Sequence, residues 1–333
     1  MIPETMAGVQ LVGHGGPEML VWNDAIPVPR PGPGQVLVRV RAAGINNTDI
    51  NTRIGWYAKE VTGATDAEIE GDIDAGGWSG ALTFPRIQGA DLVGEVVALG
   101  ADVETLTIGM RVTAQGVQDW SSPEHPNATR TLGSEMDGAF ADYCLLEACQ
   151  VFDVTASPLS DLEIAAMPCA FGTAWGMIER AGVGADDTVF VTGASGGVGL
   201  AAVMLARHQG ARVIAATSLE KADQVRDAGA SVILDRGEMP KADSITVWVD
   251  LVGGARWGET LNAIRTGGRV AIAGAIAGPM AEVDLRTVYL KDLTIFGCTH
   301  QPRQGFARLI GLINTGAIRP LVSHSYPLRD IAR

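Results

Sequence analysis

Cysteine is scarce in this sequence. Its 333 residues hold four cysteines, Cys144, Cys149, Cys169 and Cys298, with no C-x-x-C pair among them, so a disulfide framework is excluded. Basic runs are missing as well, and the net charge is −13. A nucleic-acid binder needs a Lys/Arg face to neutralise phosphates, so no nucleic-acid partner is expected. Every strongly apolar stretch meets Gly or a charge well before the roughly 18 residues of a membrane span, so no membrane partner is expected either. Met1-Ile2-Pro3-Glu4 lacks a basic region followed by an apolar one, which argues against a signal peptide and for a cytoplasmic protein.

What is abundant is glycine, 42 residues, in a chain that is 47% apolar and 19% charged. That is the composition of a globular protein, and 333 residues exceed one typical core, so two domains are expected. Residues 7–50 alternate like strands broken by turns, with Gln35–Ala42 a clear period-2 strand after the Pro/Gly run 27–34. Leu92–Gly100 is a second β-rich block leading into Ile108–Val112. The first domain, 1–156, therefore reads as antiparallel and partly barrel-shaped. Near residue 157 the pattern changes. Ser160 and Glu163 form a capping box ahead of a helix to about Ala181. Strands and helices then alternate: strands 188–192, 212–217, 245–251, 269–273 and 293–296, helices 198–209, 219–228 and 257–264. Such alternation predicts an α/β fold with a doubly wound parallel sheet over 157–299.

The strand ending at Thr192 runs into Gly193-Ala194-Ser195-Gly196-Gly197-Val198-Gly199, and a helix follows. Glycines let the backbone turn tightly against a pyrophosphate, and the helix N-terminus supplies free N–H groups and the positive end of a dipole. This predicts a dinucleotide site, with Ala194 standing where the first Gly of G-x-G-x-x-G belongs. An NAD site places an acid at the end of the next strand to bind the ribose 2′-hydroxyl. Here Thr217-Ser218 follow that strand, with Lys221 three residues later, which favours NADPH. In the other reading Glu220 is the ribose acid and Lys221 an exposed helix lysine.

At this point the chain resembles the medium-chain dehydrogenase/reductases, nearest to their zinc-independent, quinone oxidoreductase-like branch, over almost its whole length. Gly44-Ile45-Asn46-Asn47-Thr48-Asp49, then Arg53 and Gly55-Trp56-Tyr57, is similar to that branch's segment with its active-site Asn and Tyr. Gln88–Gly94 occupies the place of the Gly-His-Glu motif of zinc alcohol dehydrogenases. Ala194–Gly199 and Ser218–Lys221 resemble the glycine loop and the NADPH-selecting loop. The resemblance implies a GroES-like catalytic domain at 1–156, a Rossmann domain at 157–299 and a return to the catalytic domain at 300–333, where the chain stops short of the family's final strand. It implies Asn46 and Tyr57 as catalytic residues. For the cofactor it implies Thr173, Ala194, Ser195, Gly196, Gly197, Val198, Ser218, Lys221 and Gly274.

The resemblance also bears on metal. The family's first zinc Cys is replaced by Asn46 and its His by Ala90, leaving only Cys169 where the last Cys falls. A catalytic zinc needs three protein ligands, so no metal is expected. Residues 113–143, where the structural zinc lobe would lie, contain no Cys. Cys169 is then a small buried apolar residue or, less simply, a reactive thiol.

Without a Lewis acid, hydride donation to a quinone or α,β-unsaturated carbonyl is the expected reaction, since these acceptors carry the incoming charge on their own oxygen. Asn46 would orient the acceptor and Tyr57 would stack on it or donate to its carbonyl, unless Tyr57 is an aromatic without a chemical role. Asp49 is expected to anchor local backbone. His300 is either an exposed loop residue or a group facing the nicotinamide. Residues 59–80 carry six acids against Lys59, either as a solvated loop or as an acidic rim that favours a neutral small-molecule acceptor. The strand at 292–296 is expected to end its sheet and to pair with its own copy in a homodimer. Rival functions are an acyl-CoA enoyl reductase, a zinc alcohol dehydrogenase and a non-catalytic NADPH-binding protein.

Overall fold

The computed structural model describes residues 1–67, 77–78 and 80–332. They divide into two units: the first holds Met1–Val61, Ile69–Gly172 and His300–Arg333, the second Thr62–Glu68 and Thr173–Thr299. Residues 157–172, assigned to the second domain by their sequence pattern, thus group with the first. So Thr62–Glu68, early in the chain, belongs with the second unit.

In the first unit the elements run β1 (Thr5–Leu11), β2 (Leu20–Pro27), β3 (Gln35–Gly44), α1 (Asn47–Ile54), β4 (Arg86–Ile87), β5 (Asp91–Leu99), β6 (Arg111–Ala114), β7 (Val117–Asp119), β8 (Thr129–Thr131), β9 (Tyr143–Glu147), β10 (Val151–Asp153) and α2 (Asp161–Ala165). The expected strand pattern over 7–50 fails at its end, where Asn46 starts a helix that closes on Gly55 in the left-handed conformation, φ 76°. The sheets β2-β1-β4 and β10-β6-β5-β3-β9 are antiparallel throughout. Their alternating strands send Val36, Val38, Leu92, Val96, Val112 and Leu146 into one fully buried cluster. Each such side chain contributes about 1.5–3 kcal/mol by leaving water.

The predicted helix from Ser160 to Ala181 is two helices. Ser160 Oγ accepts from Glu163 N at 3.3 Å and Ser160 N donates to Glu163 Oε2 at 2.8 Å, as the capping box requires. α2 nevertheless stops at Ala165, and α3 (Pro168–Arg180) restarts at a proline, whose missing N–H is harmless only in a first turn.

The second unit continues with β11 (Thr188–Val191), α4 (Gly197–His208), β12 (Arg212–Ala216), α5 (Ala222–Asp227), β13 (Val232–Leu234), β14 (Ile245–Asp250), α6 (Trp257–Thr260), β15 (Ile264–Ile272), α7 (Leu285–Leu290) and β16 (Thr294–Gly297); α8 (Arg303–Thr315) follows in the first unit. The helices expected at 219–228 and 257–264 each contain a 3-10 turn, at Leu219–Lys221 and Leu261–Ala263. The sheet order is β13-β12-β11-β14-β15-β16, parallel at every pairing. Parallel strands have both faces covered, and β11, β12 and β14 accordingly read as nearly continuous buried runs. β16 is an edge strand, as expected, with β15 as its neighbour. Among the described residues no helix is long and apolar enough to cross a membrane.

Candidate active site

The register of two strands builds the first unit's site. Gly44 at the end of β3 lies opposite Asp91 at the head of β5. Asn46, two residues on, is the N-cap of α1. Asn46 Nδ2 donates to Asp91 Oδ2 at 3.0 Å, and Asn46 N donates to Asp49 Oδ2 at 2.8 Å. Asp91 Oδ1 accepts the backbone N–H of Cys169, in the first turn of α3, at 2.6 Å. Asp49 Oδ1 accepts Gly89 N at 3.2 Å. Two buried carboxylates therefore hold Asn46, one by its main chain and one by its amide.

Both acids are shifted. Burial raises Asp91 to about 8; the Asn46 amide opposes the rise, Asp49 adds to it, and the Cys169 N–H opposes it. Burial raises Asp49 to about 6 against backbone hydrogen bonds from Asn46, Gly89 and Ala90. Asp49 does anchor backbone, as its position suggested, and it also charges the site. Asp91 was not singled out in the sequence. Its signal was an acid heading the buried run Leu92–Gly94, where a charge needs a purpose.

Tyr57 joins the site through α1. Its hydroxyl donates to Thr48 Oγ1 at 3.2 Å, and Trp78 Nε1 donates to the same oxygen at 2.8 Å. The Tyr57 ring meets Trp78 at 5.1 Å and Trp56 edge-on at 5.5 Å. Burial pushes the phenol up to about 12, against hydrogen bonds from Thr48 and Asn51, so at neutral pH it keeps its proton and can donate. Trp78 could not be anticipated, because nothing local in the sequence ties it to residue 48.

In the second unit the glycine loop fits a dinucleotide. The left-handed turn falls on Gly193, φ 65°, and Ala194, where the fingerprint's first Gly belongs, is not among the positive-φ residues. A Cβ on Gly199 would stand 2.2 Å from Gly193 O, so helix and loop can meet only with glycine there. Ala194 N donates to Ala216 O at 3.1 Å, which sets Ala194–Val198 beside the end of β12 and the following Thr217, Ser218 and Lys221. Thr217 Oγ1 is buried without a hydrogen-bond partner, Ser218 is half-buried and Lys221 exposed. These are groups a nucleotide ribose with its 2′ substituent could engage. Gly274 joins the same edge, since a Cβ there would stand 2.7 Å from Leu251 O, and Gly193's would approach Val252 at 3.3 Å. The turn between is held by Asp250, which accepts from Thr192 Oγ1 at 2.6 Å and from Trp257 Nε1 at 2.8 Å. Burial raises the Asp250 carboxyl. Thr173 lies on α3, in a separate element from this loop.

At the positions where the resemblance puts the family's zinc ligands, the first unit carries Asn46 and Ala90. Asn46 and Ala90 supply no anionic or imidazole ligand, and among the described residues no three His, Cys, Asp or Glu side chains are grouped to hold a metal. Cys169 is half-buried rather than a core residue.

His300 is not an exposed loop residue. Its side chain is 11% exposed, with Nε2 at 3.1 Å from Asp119 Oδ1 and 3.2 Å from Ser121 Oγ. Of the acidic stretch 59–80, Lys59, Glu60 and Asp66 are exposed, and Thr65 N donates to Ile276 O at 3.1 Å; Glu68, Glu70, Asp72 and Asp74 lie outside the described residues.

Known proteins agree with this architecture. Residues 32–156 match the alcohol dehydrogenase GroES-like domain and residues 197–315 the zinc-binding dehydrogenase domain. A solved structure from Sinorhizobium meliloti 1021, provisionally titled an alcohol dehydrogenase, shares 40% identity, with a TM-score of 0.87 over 99% of this chain and 92% of that one. Acryloyl-coenzyme A reductase of Metallosphaera sedula is 29% identical over 91% of this chain and 88% of its own. Human quinone oxidoreductase is 26% identical over 98% and 92%.

Proposed function

Because the chain belongs to the medium-chain dehydrogenase/reductase superfamily, quinone oxidoreductase-like in kind, and is an oxidoreductase, we propose that it is an NADPH-dependent, zinc-independent reductase of a neutral quinone or α,β-unsaturated carbonyl. The observation that carries this reading is the Asn46 amide held by Asp91 at 3.0 Å, where the family's zinc enzymes would need a ligand set that these residues cannot form.

A bound reduced nicotinamide supplies a hydride, and the residues named here do the rest. Ala194–Val198 cradle the pyrophosphate at the N-terminus of α4. Thr217, Ser218 and Lys221 receive the 2′-phosphate, which an acid in their place would repel. Gly274 and Thr173 complete the cofactor's surroundings. In the first unit, Asn46 is fixed by two buried carboxyl groups, those of Asp49 and Asp91, and orients the acceptor. Tyr57, a protonated phenol against Trp78, stacks on a planar acceptor or donates to its carbonyl as charge develops there. Donors held in place before the reaction stabilise that charge without reorganising.

The relative named acryloyl-coenzyme A reductase supports a second acceptor class on the same chemistry, an enoyl thioester. The acids of 59–80 weigh against so anionic a substrate. NADPH and NADH oxidation measured against a quinone, a simple enone and a short enoyl-CoA decides between them. Turnover of the neutral acceptors supports the proposal, and turnover of the thioester alone replaces it with the second reading. Cofactor binding without turnover of any acceptor points to a non-catalytic protein.

A further inference from the structure

We infer that Trp78, acting through Thr48, is a positioning residue that turns the Tyr57 hydroxyl toward the acceptor's carbonyl. This inference deepens the reductase reading above and rests on it. An indole N–H can only donate, whereas a hydroxyl has one hydrogen to give and two lone pairs to receive with. Trp78 Nε1 gives its hydrogen to Thr48 Oγ1 at 2.8 Å, which fills one of those lone pairs. The other receives the Tyr57 hydroxyl at 3.2 Å, well beyond the roughly 2.7–2.8 Å of a good O–H···O bond. The phenol is therefore only weakly tied to Thr48. A hydrogen bond from Asn51 also reaches the phenol and works against the rise in its pKa, as a donor to its oxygen does.

A carbonyl oxygen arriving beside Tyr57 changes which hydroxyl gives. The phenol hydrogen leaves its long bond to Thr48 for the carbonyl. Thr48, still receiving from Trp78, then offers its own hydrogen to the phenol oxygen. Trp78 N–H, Thr48 O–H and Tyr57 O–H now point one way, and in such a chain each bond polarises the next. Receiving from the indole makes Thr48 a poorer acceptor for Tyr57 and a better donor to it. The result is a stronger donor at the place where hydride transfer puts negative charge. Every proton stays on its own oxygen or nitrogen in this rearrangement; only the hydroxyl hydrogens turn.

Trp78 is itself held in place. Gly77 N donates to Gly80 O at 2.9 Å, closing a bridge around it, and Trp78 N lies 3.5 Å from Ser134 Oγ. Its ring stands 5.1 Å from the Tyr57 ring, so the indole sets the phenol's plane as well as its hydrogen. The cluster is open to a small molecule, because Thr48, Tyr57 and Trp78 are each half-buried. It also lies with Asn46 in the first unit. Thr48 sits in the first turn of α1, the helix that Asn46 caps, and Asp49 and Cys169 are close enough to Tyr57 to raise its pKa. Those two residues hold Asn46, Asp49 directly and Cys169 through Asp91.

The test uses the full-length protein with NADPH, one benzoquinone and one cyclic enone. Trp78→Phe keeps a ring against Tyr57 and removes the N–H. Its kcat should fall about 3- to 10-fold, the worth of one neutral hydrogen bond, with the acceptor KM and the NADPH Kd within about twofold. Thr48→Val should match that loss and Thr48→Ser should recover the wild-type rate, which gives the answer if Trp78→Phe folds poorly. Tyr57→Phe should lose more than either. Adding Trp78→Phe to it should cost nothing further, because the indole acts only through the phenol, whereas a general loosening of the fold would add its loss in either background. Additive losses, a loss confined to KM, or wild-type kcat in both Trp78→Phe and Thr48→Val would overturn the inference and leave the reductase reading standing. Tyr57→Phe at the wild-type rate would overturn it together with the role of Tyr57. A wild type that reduces neither acceptor sinks both readings.

Discussion

Asp91→Asn should flatten a loss of stability that the wild-type protein shows between pH 6 and pH 8. Asp91 is 1% exposed, and burial raises its carboxyl from 3.8 in the unfolded chain to about 8. Between those values the folded protein keeps a proton that the unfolded chain has lost. Stability is therefore fully present below the lower value and falls as pH rises, levelling off once the folded carboxyl ionises near pH 8. Asp49 behaves likewise but levels off near pH 6, so the window above it isolates Asp91. One proton difference is worth about 1.4 kcal/mol per pH unit. Two units, rounded near the upper value, come to about 2–3 kcal/mol. An asparagine keeps the shape and an oxygen for the Cys169 N–H without the charge. Urea unfolding of both proteins, followed by tryptophan fluorescence at several pH values across that window, gives the difference directly, because the titrating groups other than Asp49, which is coupled to Asp91, cancel. The variant should gain about 2–3 kcal/mol on the wild type from the acid end to the alkaline end. A difference that stays constant within about 0.5 kcal/mol would refute the reasoning and place the ionised carboxylate comfortably in the fold.

Lys221→Ala should weaken NADPH by about 10- to 150-fold, the worth of one charge-assisted hydrogen bond of roughly 1.5–3 kcal/mol. NADH should hardly respond in the same calorimetric titration, and equal losses would return Glu220 as the ribose partner. Gly199→Ala puts a Cβ 2.2 Å from Gly193 O and 2.8 Å from Ala194 Cα, both backbone atoms that cannot swing aside. The loop must shift, at about 1–3 kcal/mol, and both nicotinamide cofactors should lose affinity together; unaltered binding would detach this loop from the cofactor. Elemental analysis should find well under one zinc per chain, with activity surviving a chelator, whereas stoichiometric zinc would revive the alcohol dehydrogenase. Light scattering at micromolar concentration should give a dimer, because β16 leaves an edge with Ile295 41% exposed that a two-fold pairing would cover; a monomer mass would overturn that reading.

The parts of this molecule that were legible in the sequence are those whose chemistry is local. The glycine loop is one: strand, turn and helix follow one another within a dozen residues, and each glycine answers a clash between near neighbours, as Gly199 does against Gly193. The Ser160–Glu163 cap is another, since both partners lie in one turn. Three predicted helices are interrupted in the fold, after Ala165, at Leu219–Lys221 and at Leu261–Ala263, because apolar periodicity says where a helix can exist and not where a 3-10 turn or a new N-terminus interrupts it. Pro168 was the available signal for one of those breaks.

The site residues divide the same way. Asn46 and Tyr57 were named from the resemblance of one short segment, 44–57, to the family's motif, which local sequence can show. Asp91 meets Asn46 only because β3 and β5 pair Gly44 with Asp91, a register settled by which side chains enter the core between those strands. His300 meets Asp119 across 181 residues, after the chain has completed a six-stranded sheet and returned. No spacing rule reaches that far. What the sequence did offer was an anomaly at each place: an acid heading a buried strand, and a histidine just past the end of a parallel one. An ionisable group where burial is expected is costly unless something meets it, and at both positions the fold brings a partner to meet it. At Asp91 that partner is Asn46. At His300 it is Asp119, which meets Nε2 at 3.1 Å.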